Sequence, residues 1–525
     1  MYSKEKRVKV VQAKFTATRW QRGVAQLLLV VVCTLVASCS SQPIQPVQEA
    51  PRGLDAIEHI VVIYAENRSF DNLYGLFPGA NGLANLTPEQ YTQIDRDGKP
   101  FQVLPPVWKP KPPARVDNEV DPEFPVNLPN KPFQIDGPPI NRPLSTRTRD
   151  LVHRYYQNIE QINGGLNNRF VAVSDAGGLV MGYYDGSKQR MWKWAQDNTL
   201  ADNFFMAAFG GSYLNHQWLI CACTPQNPDA DQNSRAKIDA QGHLIRSPDS
   251  PASAMQGPPR YLLDGNVTPD GYSVNTQQPS YQPSGIPPAK DGDPRFADPS
   301  KKPLPPQTSK TIGDTLSDKG ISWAWYGGAW NRALADGMQP PEVKRNVIYQ
   351  DTPGHDNFQP HHQPFNYFAR FAPGTADRAE HLKDGEDFLQ AIDAGTLPQV
   401  AFYKPTGDLN EHPGYTDVLS GDQHLADILE HIRNSPLWSK IAVIVAYDEN
   451  GGFWDHVAPP KGDQWGPGMR IPAIIISPYA RHGYVDHTQY DTTSILKFIT
   501  RRFGLEPLPG VRGKAGDLTN AFDLP

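Results

Sequence analysis

The chain has 525 residues, 38% hydrophobic and 20% charged, both below the soluble-protein averages of about 45–50% and about 25%. Its 52 prolines account for much of that gap and mark long loops, because proline gives no ladder hydrogen bond and breaks helix interiors. A net charge of −6 excludes a whole-chain attraction to nucleic acid, and a single apolar run near the N-terminus excludes a polytopic membrane protein.

That run belongs to a leader. Basic residues (Lys4, Lys6, Arg7, Lys9, Lys14, Arg19, Arg22) precede the apolar stretch Leu27 to Ala37, which ends in Ser38-Cys39-Ser40, the pattern of a secretory signal over residues 1–39. Leu35-Val-Ala-Ser-Cys39 resembles a bacterial lipobox, in which the cysteine is acylated, so the expectation is export to the periplasm, anchoring at the outer membrane through lipid at Cys39, or secretion. Residues 40–53 read as a polar tether, and residues 54–525 as one catalytic domain. Of the remaining cysteines, Cys221 and Cys223 are too close to pair without strain and are expected to be buried thiols.

Along the chain, Ile57–Tyr64 is a near-continuous apolar run suited to a strand buried on both faces. Residues 98–143 follow, rich in Pro, Asp, Gln, Ser and Gly, and residues 224–306 repeat that composition; both are expected to be insertions that wrap and lid the core. Lys310–Lys319 has helical character. Further buried-strand runs occur at Ile321–Tyr326, Val400–Tyr403, Ile441–Tyr447 and Ile471–Ser477. Between them, Asp377–Ala394 and Asp422–Arg433 have helical periodicity, the latter with Leu425, Ile428, Leu429 and Ile432 on one stripe, and Thr493–Phe503 opens on good capping residues. Strands alternating with helices predict an α/β three-layer sandwich around a mostly parallel sheet.

Open α/β sheets bind ligands at the carboxyl ends of their strands. The first strand runs out into Glu66-Asn67, and the strand 441–447 into Asp448-Glu449, followed by Gly-Gly and the pair Asp455-His456. Three carboxylates at two strand ends repel one another unless a cation sits among them, which points to a divalent metal site. His153, the pair His361-His362 and His424, which opens a helix, are candidate phosphate ligands or general acids. Ser212, in Gly210-Gly-Ser-Tyr-Leu-Asn-His216, is a candidate nucleophile outside any G-x-S-x-G elbow, and a bound cation would activate it without a histidine base.

Ile60 to Asn72, Asp448 to Pro460, and Arg470 to Leu496 resemble the ordered motifs of the bacterial phosphoesterase family that unites phospholipases C with a group of acid phosphatases. The resemblance implies an alkaline-phosphatase-like core and hydrolysis through a phosphoserine-type intermediate. It implies one divalent ion held by Glu66, Asn67, Ser212, Asp448 and Glu449, with Ser212 as nucleophile. It also implies that His153, His361, His362 and His424 surround the phosphoryl group, while Asp455 and His456 support the site. Phospholipases C of the family carry paired signal arginines, extra C-terminal β domains, and threonine where this chain has Ser212. Arg19 and Arg22 are not paired and the core ends shortly before Pro525, so the acid-phosphatase branch is expected, acting on small phosphorylated substrates. The alternatives are a phospholipase C that takes phospholipid head groups and a lipoprotein that binds phosphorylated ligands without turnover. Of the aromatic group Trp323, Trp325, Tyr326 and Trp330, which would line an apolar mouth in a phospholipase C, the strand residues Trp323, Trp325 and Tyr326 are expected in the core.

Overall fold

The computed structural model describes residues 53–110 and 118–525. The leader with Cys33 and Cys39, and the tether up to residue 52, lie outside the described residues. Among those described, no helix is long and apolar enough to cross a membrane.

An eight-stranded sheet organises the fold. Its strands are β1 (His59–Ala65), β2 (Thr199–Ala201), β3 (Trp323–Gly327), β4 (Leu382–Asp384), β5 (Val400–Lys404), β6 (Ile441–Tyr447), β7 (Ala473–Ile476) and β8 (Tyr484–Asp486). Across the sheet they lie in the order β8-β2-β7-β6-β1-β5-β3-β4. All neighbours pair in parallel except β7, which runs against both β6 and β2. The apolar run at 471–477 therefore forms a strand as expected but points the other way. That reversal puts Arg470, at its start, on the edge of the sheet where the other strands end. Strands β1 and β6 are buried at nearly every position, which explains why they read as unbroken apolar runs rather than alternating ones.

Five helices matter for the site: α1 (Phe70–Tyr74), α2 (Ser212–Cys221), α3 (Gly385–Ala394), α4 (Val418–Asn434) and α5 (Thr493–Phe503). Ser69 caps α1 through its hydroxyl, and Asp417 caps α4. Leu425, Ile428, Leu429 and Ile432 form the buried stripe of α4, as the sequence requires. The expected helix at 377–394 is interrupted: the short edge strand β4 separates Ala376–His381 from α3, and Asp384 caps the latter. Residues 98–110, 118–143 and 224–306 contain mostly turns and isolated bridges. They nevertheless carry buried side chains: Leu104, Ile135 and Val274 belong to the main hydrophobic core, and Val267 is buried too. Cys221 and Cys223 are joined as a disulfide, contrary to the expectation of free thiols. Ala222 between them takes a left-handed conformation as the C-cap of α2, and this turn brings the two sulfurs together.

Candidate active site

The sheet register assembles the site. Ala65 pairs with Tyr447, so Glu66-Asn67 and Asp448-Glu449 leave the sheet side by side. Asn67 adopts a left-handed conformation (φ 61°) although buried, a strain of the sort found at functional positions. This turn lets its backbone N–H donate to Asp448 Oδ1 at 3.0 Å while its carboxamide faces Ser212. Gly451 allows the second loop to pass close by, since a Cβ there would lie 2.2 Å from the Asn67 carbonyl oxygen.

Ser212 is the first residue of α2. Gly210 and Gly211 precede it because the segment carrying His153 passes directly against them; Cβ atoms there would meet Tyr155 N at 2.6 Å and the His153 carbonyl at 2.7 Å. The Gly-Gly-Ser signature thus brings serine and histidine into one site. Ser212 Oγ donates to Asn67 Oδ1 at 3.0 Å and reaches Glu449 Oε1 at 3.5 Å. His153 Nε2 lies 3.4 Å from Asn67 Nδ2 and 3.7 Å from Glu449 Oε1.

On the other side of Asn67 is His412, whose Nε2 is 2.9 Å from Asn67 Nδ2. The sequence reading did not single it out and named His424 instead. His424 lies elsewhere: its Nε2 bonds to the Tyr403 hydroxyl at 2.8 Å. Successive strand residues point to opposite faces, so a side chain packed on Tyr403 stands across the sheet from Lys404 and its partner Glu66. The strand-exit rule would have found His412, because Asp408 to His412 follows β5 as Glu66 follows β1.

Glu66 has its own partners. His362 Nε2 approaches Oε1 at 2.6 Å, Lys404 Nζ approaches the same oxygen at 3.4 Å, and Asn410 Nδ2 bonds Oε2. Trp325 Nε1 donates to the His362 carbonyl at 2.8 Å, so that part of the aromatic group is core and also supports the site. His216, one turn after Ser212, stacks on His362 with ring centres 5.4 Å apart, and its Nδ1 lies 3.8 Å from Asp448 Oδ2. Ser212, His153, His361, His412 and Glu66 line a cavity of about 920 Å³. Pro110, Asp121, Val274, Asn275 and Thr276, all from the proline-rich segments, line it too, as do Arg147, Tyr349 and Tyr415.

Burial sets most of the charge states. It pulls His361 and His216 well below the usual histidine range, His362 to about 4, and His412 downward, leaving these rings neutral near pH 7. For His153 the carboxylates of Glu449 and Asp150 outweigh burial and raise it to about 9, so it is an imidazolium. Burial pushes Asp448 up to about 6 and Glu449 well above the carboxylate range, with Asp448 adding to the latter. Glu66 moves down in spite of burial, because His362 and Lys404 outweigh it.

The donor set fits a divalent cation. Asp448 Oδ2 is wholly buried without a hydrogen-bond partner among the described residues, and beside it stand Ser212 Oγ, the Asn67 carboxamide and Glu449. An orphaned buried carboxylate oxygen among oxygen donors is costly unless positive charge joins it.

A second cluster forms from residues that follow the same two strands. Arg470 contacts both oxygens of Asp455 at 3.1 Å and Asp71 Oδ1 at 2.9 Å, while His456 Nδ1 bonds Asp71 Oδ2 at 2.7 Å. Asp455 Oδ2 accepts from the Asp71 backbone N–H at 3.0 Å, tying the loop after β6 to α1.

An α/β protein with a serine, three carboxylates and a ring of histidines at its strand ends is built for phosphoryl chemistry. The chain belongs to the phosphoesterase family, whose sequence profile matches residues 57–506, and it is a hydrolase of phosphoric esters. Phospholipase C A of Mycobacterium tuberculosis is 26% identical over 90% of this chain and 78% of its own length. The non-hemolytic phospholipase C of Pseudomonas aeruginosa is 34% identical over 25% of this chain and 24% of its own. Among solved structures, a protein of the alkaline phosphatase superfamily from Vibrio parahaemolyticus aligns over 74% of this chain and 75% of that one, at 13% identity with a TM-score of 0.30.

Proposed function

We propose that the chain is an exported, metal-dependent phosphatase that hydrolyses phosphomonoesters through a phosphoserine on Ser212. The observation that carries this reading is the setting of Ser212: its Oγ lies 3.0 Å from Asn67 Oδ1 and 3.5 Å from Glu449 Oε1, and it lines a cavity together with His153, His361 and His412. Glu66, Asn67, Ser212, Asp448 and Glu449 would hold one divalent ion. When bound, that ion supplies positive charge that lowers the effective pKa of the serine hydroxyl and offsets the phosphate's charge.

Ser212 Oγ gives up its proton to solvent in the cavity and attacks phosphorus as the bond to the leaving oxygen breaks. His153, charged by virtue of Glu449 and Asp150, gives that oxygen its proton. The N-terminus of α2, ten residues long, adds its dipole beneath the phosphoryl group. Water then cleaves the Ser212 ester, releasing inorganic phosphate and restoring the hydroxyl. Most residues that line the cavity carry charged or hydrogen-bonding side chains, which supports a small polar leaving group, although apolar atoms make up the larger part of the exposed lining; Trp323, Trp325 and Trp330 are buried. The names of the curated relatives favour a second reading, a phospholipase C that cleaves the phosphodiester of a phospholipid. The leader residues support export with lipid at Cys39.

Hydrolysis of a chromogenic phosphomonoester and of a phosphocholine diester, by wild type and Ser212→Ala, tests both. Monoester turnover exceeding diester turnover, with at least an about 10³-fold loss in the variant, is expected. Diester preference moves the assignment to phospholipase C, and activity that survives Ser212→Ala removes Ser212 as nucleophile.

A further inference from the structure

Lys404 closes β5 with a side chain that is entirely buried, and its ammonium makes no hydrogen bond among the described residues. An ammonium in that position costs free energy unless negative charge surrounds it. Here it lies 3.4 Å from Glu66 Oε1 and 5.5 Å from the Tyr64 ring centre, and its field reaches Asp448, His216 and His362. No apolar packing argument requires a lysine here; a methionine stem would fill the same space.

Charge explains it. With an ion bound, Glu66, Asp448 and Glu449 carry three negative charges, and Lys404 carries one positive charge. The remaining two match one divalent cation. His153 and Asp150 are a further opposite pair, 3.5 Å apart, that leaves this balance unchanged. A competing arrangement is also built in. Glu66, His361 and His362 each offer a donor atom within 4.8 Å of the others, and His361 Nδ1 has no hydrogen-bond partner among the described residues. A carboxylate with two neutral imidazoles is a common donor set for a transition-metal ion. The Lys404 ammonium stands against the oxygen such an ion would need.

We propose that Lys404 is a built-in cation that limits this centre to one divalent ion by holding Glu66 Oε1 and excluding a second ion from the Glu66–His361–His362 group. This rests on reading Glu66, Asn67, Ser212, Asp448 and Glu449 as the first ion's site. Lys404 acts through Glu66 and is a positioning residue.

The test counts ions rather than turnovers. Chelator-treated full chain is titrated with manganese(II) by calorimetry, and bound manganese is measured after gel filtration. Wild type and Lys404→Arg are expected to bind one equivalent even in excess metal. Lys404→Gln is expected to bind two, the tighter one at least about tenfold more strongly than in wild type. Glu66→Gln/Lys404→Gln, which removes one charge of each sign, is expected to return to one. Lys404→Met repeats the experiment with the stem retained, and if either neutral variant unfolds without metal, refolding on manganese with two equivalents bound is expected. Two tight equivalents in wild type, or one equivalent at unchanged affinity in Lys404→Gln, overturn the proposal while leaving the first ion's site intact. No binding to wild type overturns the reading of that site itself.

Discussion

Two buried acidic clusters grow from the same two strand exits and differ in one respect. Around Asp71 and Asp455, the guanidinium of Arg470 and the ring of His456 pair the carboxylate oxygens from within the chain. Around Asp448 and Glu449 the chain compensates charge only in part: among the described residues Asp448 Oδ2 has no hydrogen-bond partner, and burial holds both carboxyls above their ordinary range. The first cluster is self-sufficient and serves as a clamp between the loop after β6 and α1. The second is incomplete without a ligand. Completeness of the hydrogen-bond inventory, more than residue type, separates scaffold from site.

Substitution should expose the difference most strongly at Arg470. Arg470→Met leaves Asp71 and Asp455 buried without their cation and is expected to lower stability by about 3–5 kcal/mol, read from urea midpoints. A small effect would mean that the clamp is no clamp.

A smaller effect tests the carboxyl that belongs to neither cluster. Glu411 is buried, its Oε1 has no hydrogen-bond partner among the described residues, its Oε2 accepts from the Tyr447 hydroxyl at 2.6 Å, and burial raises it to about 8. The native state therefore keeps this proton after the unfolded chain has lost it, so its contribution to stability falls as pH rises from about 4.5 to about 8 and is flat outside that window. Glu411→Gln is expected to be more stable relative to wild type at pH 8 than at pH 5, by a few kcal/mol. An equal difference at both pH values contradicts it.

The smallest effect sharpens the histidine assignment. His412→Ala is expected to reduce kcat by about 10²-fold or more, whereas His424→Ala, on the Tyr403 side of the sheet, is expected to change kcat less than threefold. Matching losses would return His424 to the site.

Much of this was legible because strand exits can be read from apolar runs. Glu66, Asn67, Asp448 and Glu449 follow the two longest strands, and the glycines before Ser212 announce a close approach. The three-residue strands β2, β4 and β8 are too short to carry a pattern, and nothing in the run 471–477 records its direction. Lys404 was hidden because it completes a run read as apolar. His412 lies in a loop with no flanking signature to mark it, unlike the tandem His361-His362. The disulfide was missed because a separation of two residues reads as strained until the left-handed Ala222 between them is seen.

The central claim is that the Asp448 cluster waits for a cation while the Arg470 cluster does not. Thermal unfolding of wild type and Asp448→Asn, in chelator and in saturating manganese, tests it most directly. Asp448→Asn is expected to melt at or above the wild-type temperature in chelator, because an incompletely compensated buried carboxyl is gone, and to lose most of the upward shift that manganese gives wild type. A variant that melts lower than wild type in chelator, yet gains the same shift from manganese, would contradict the account.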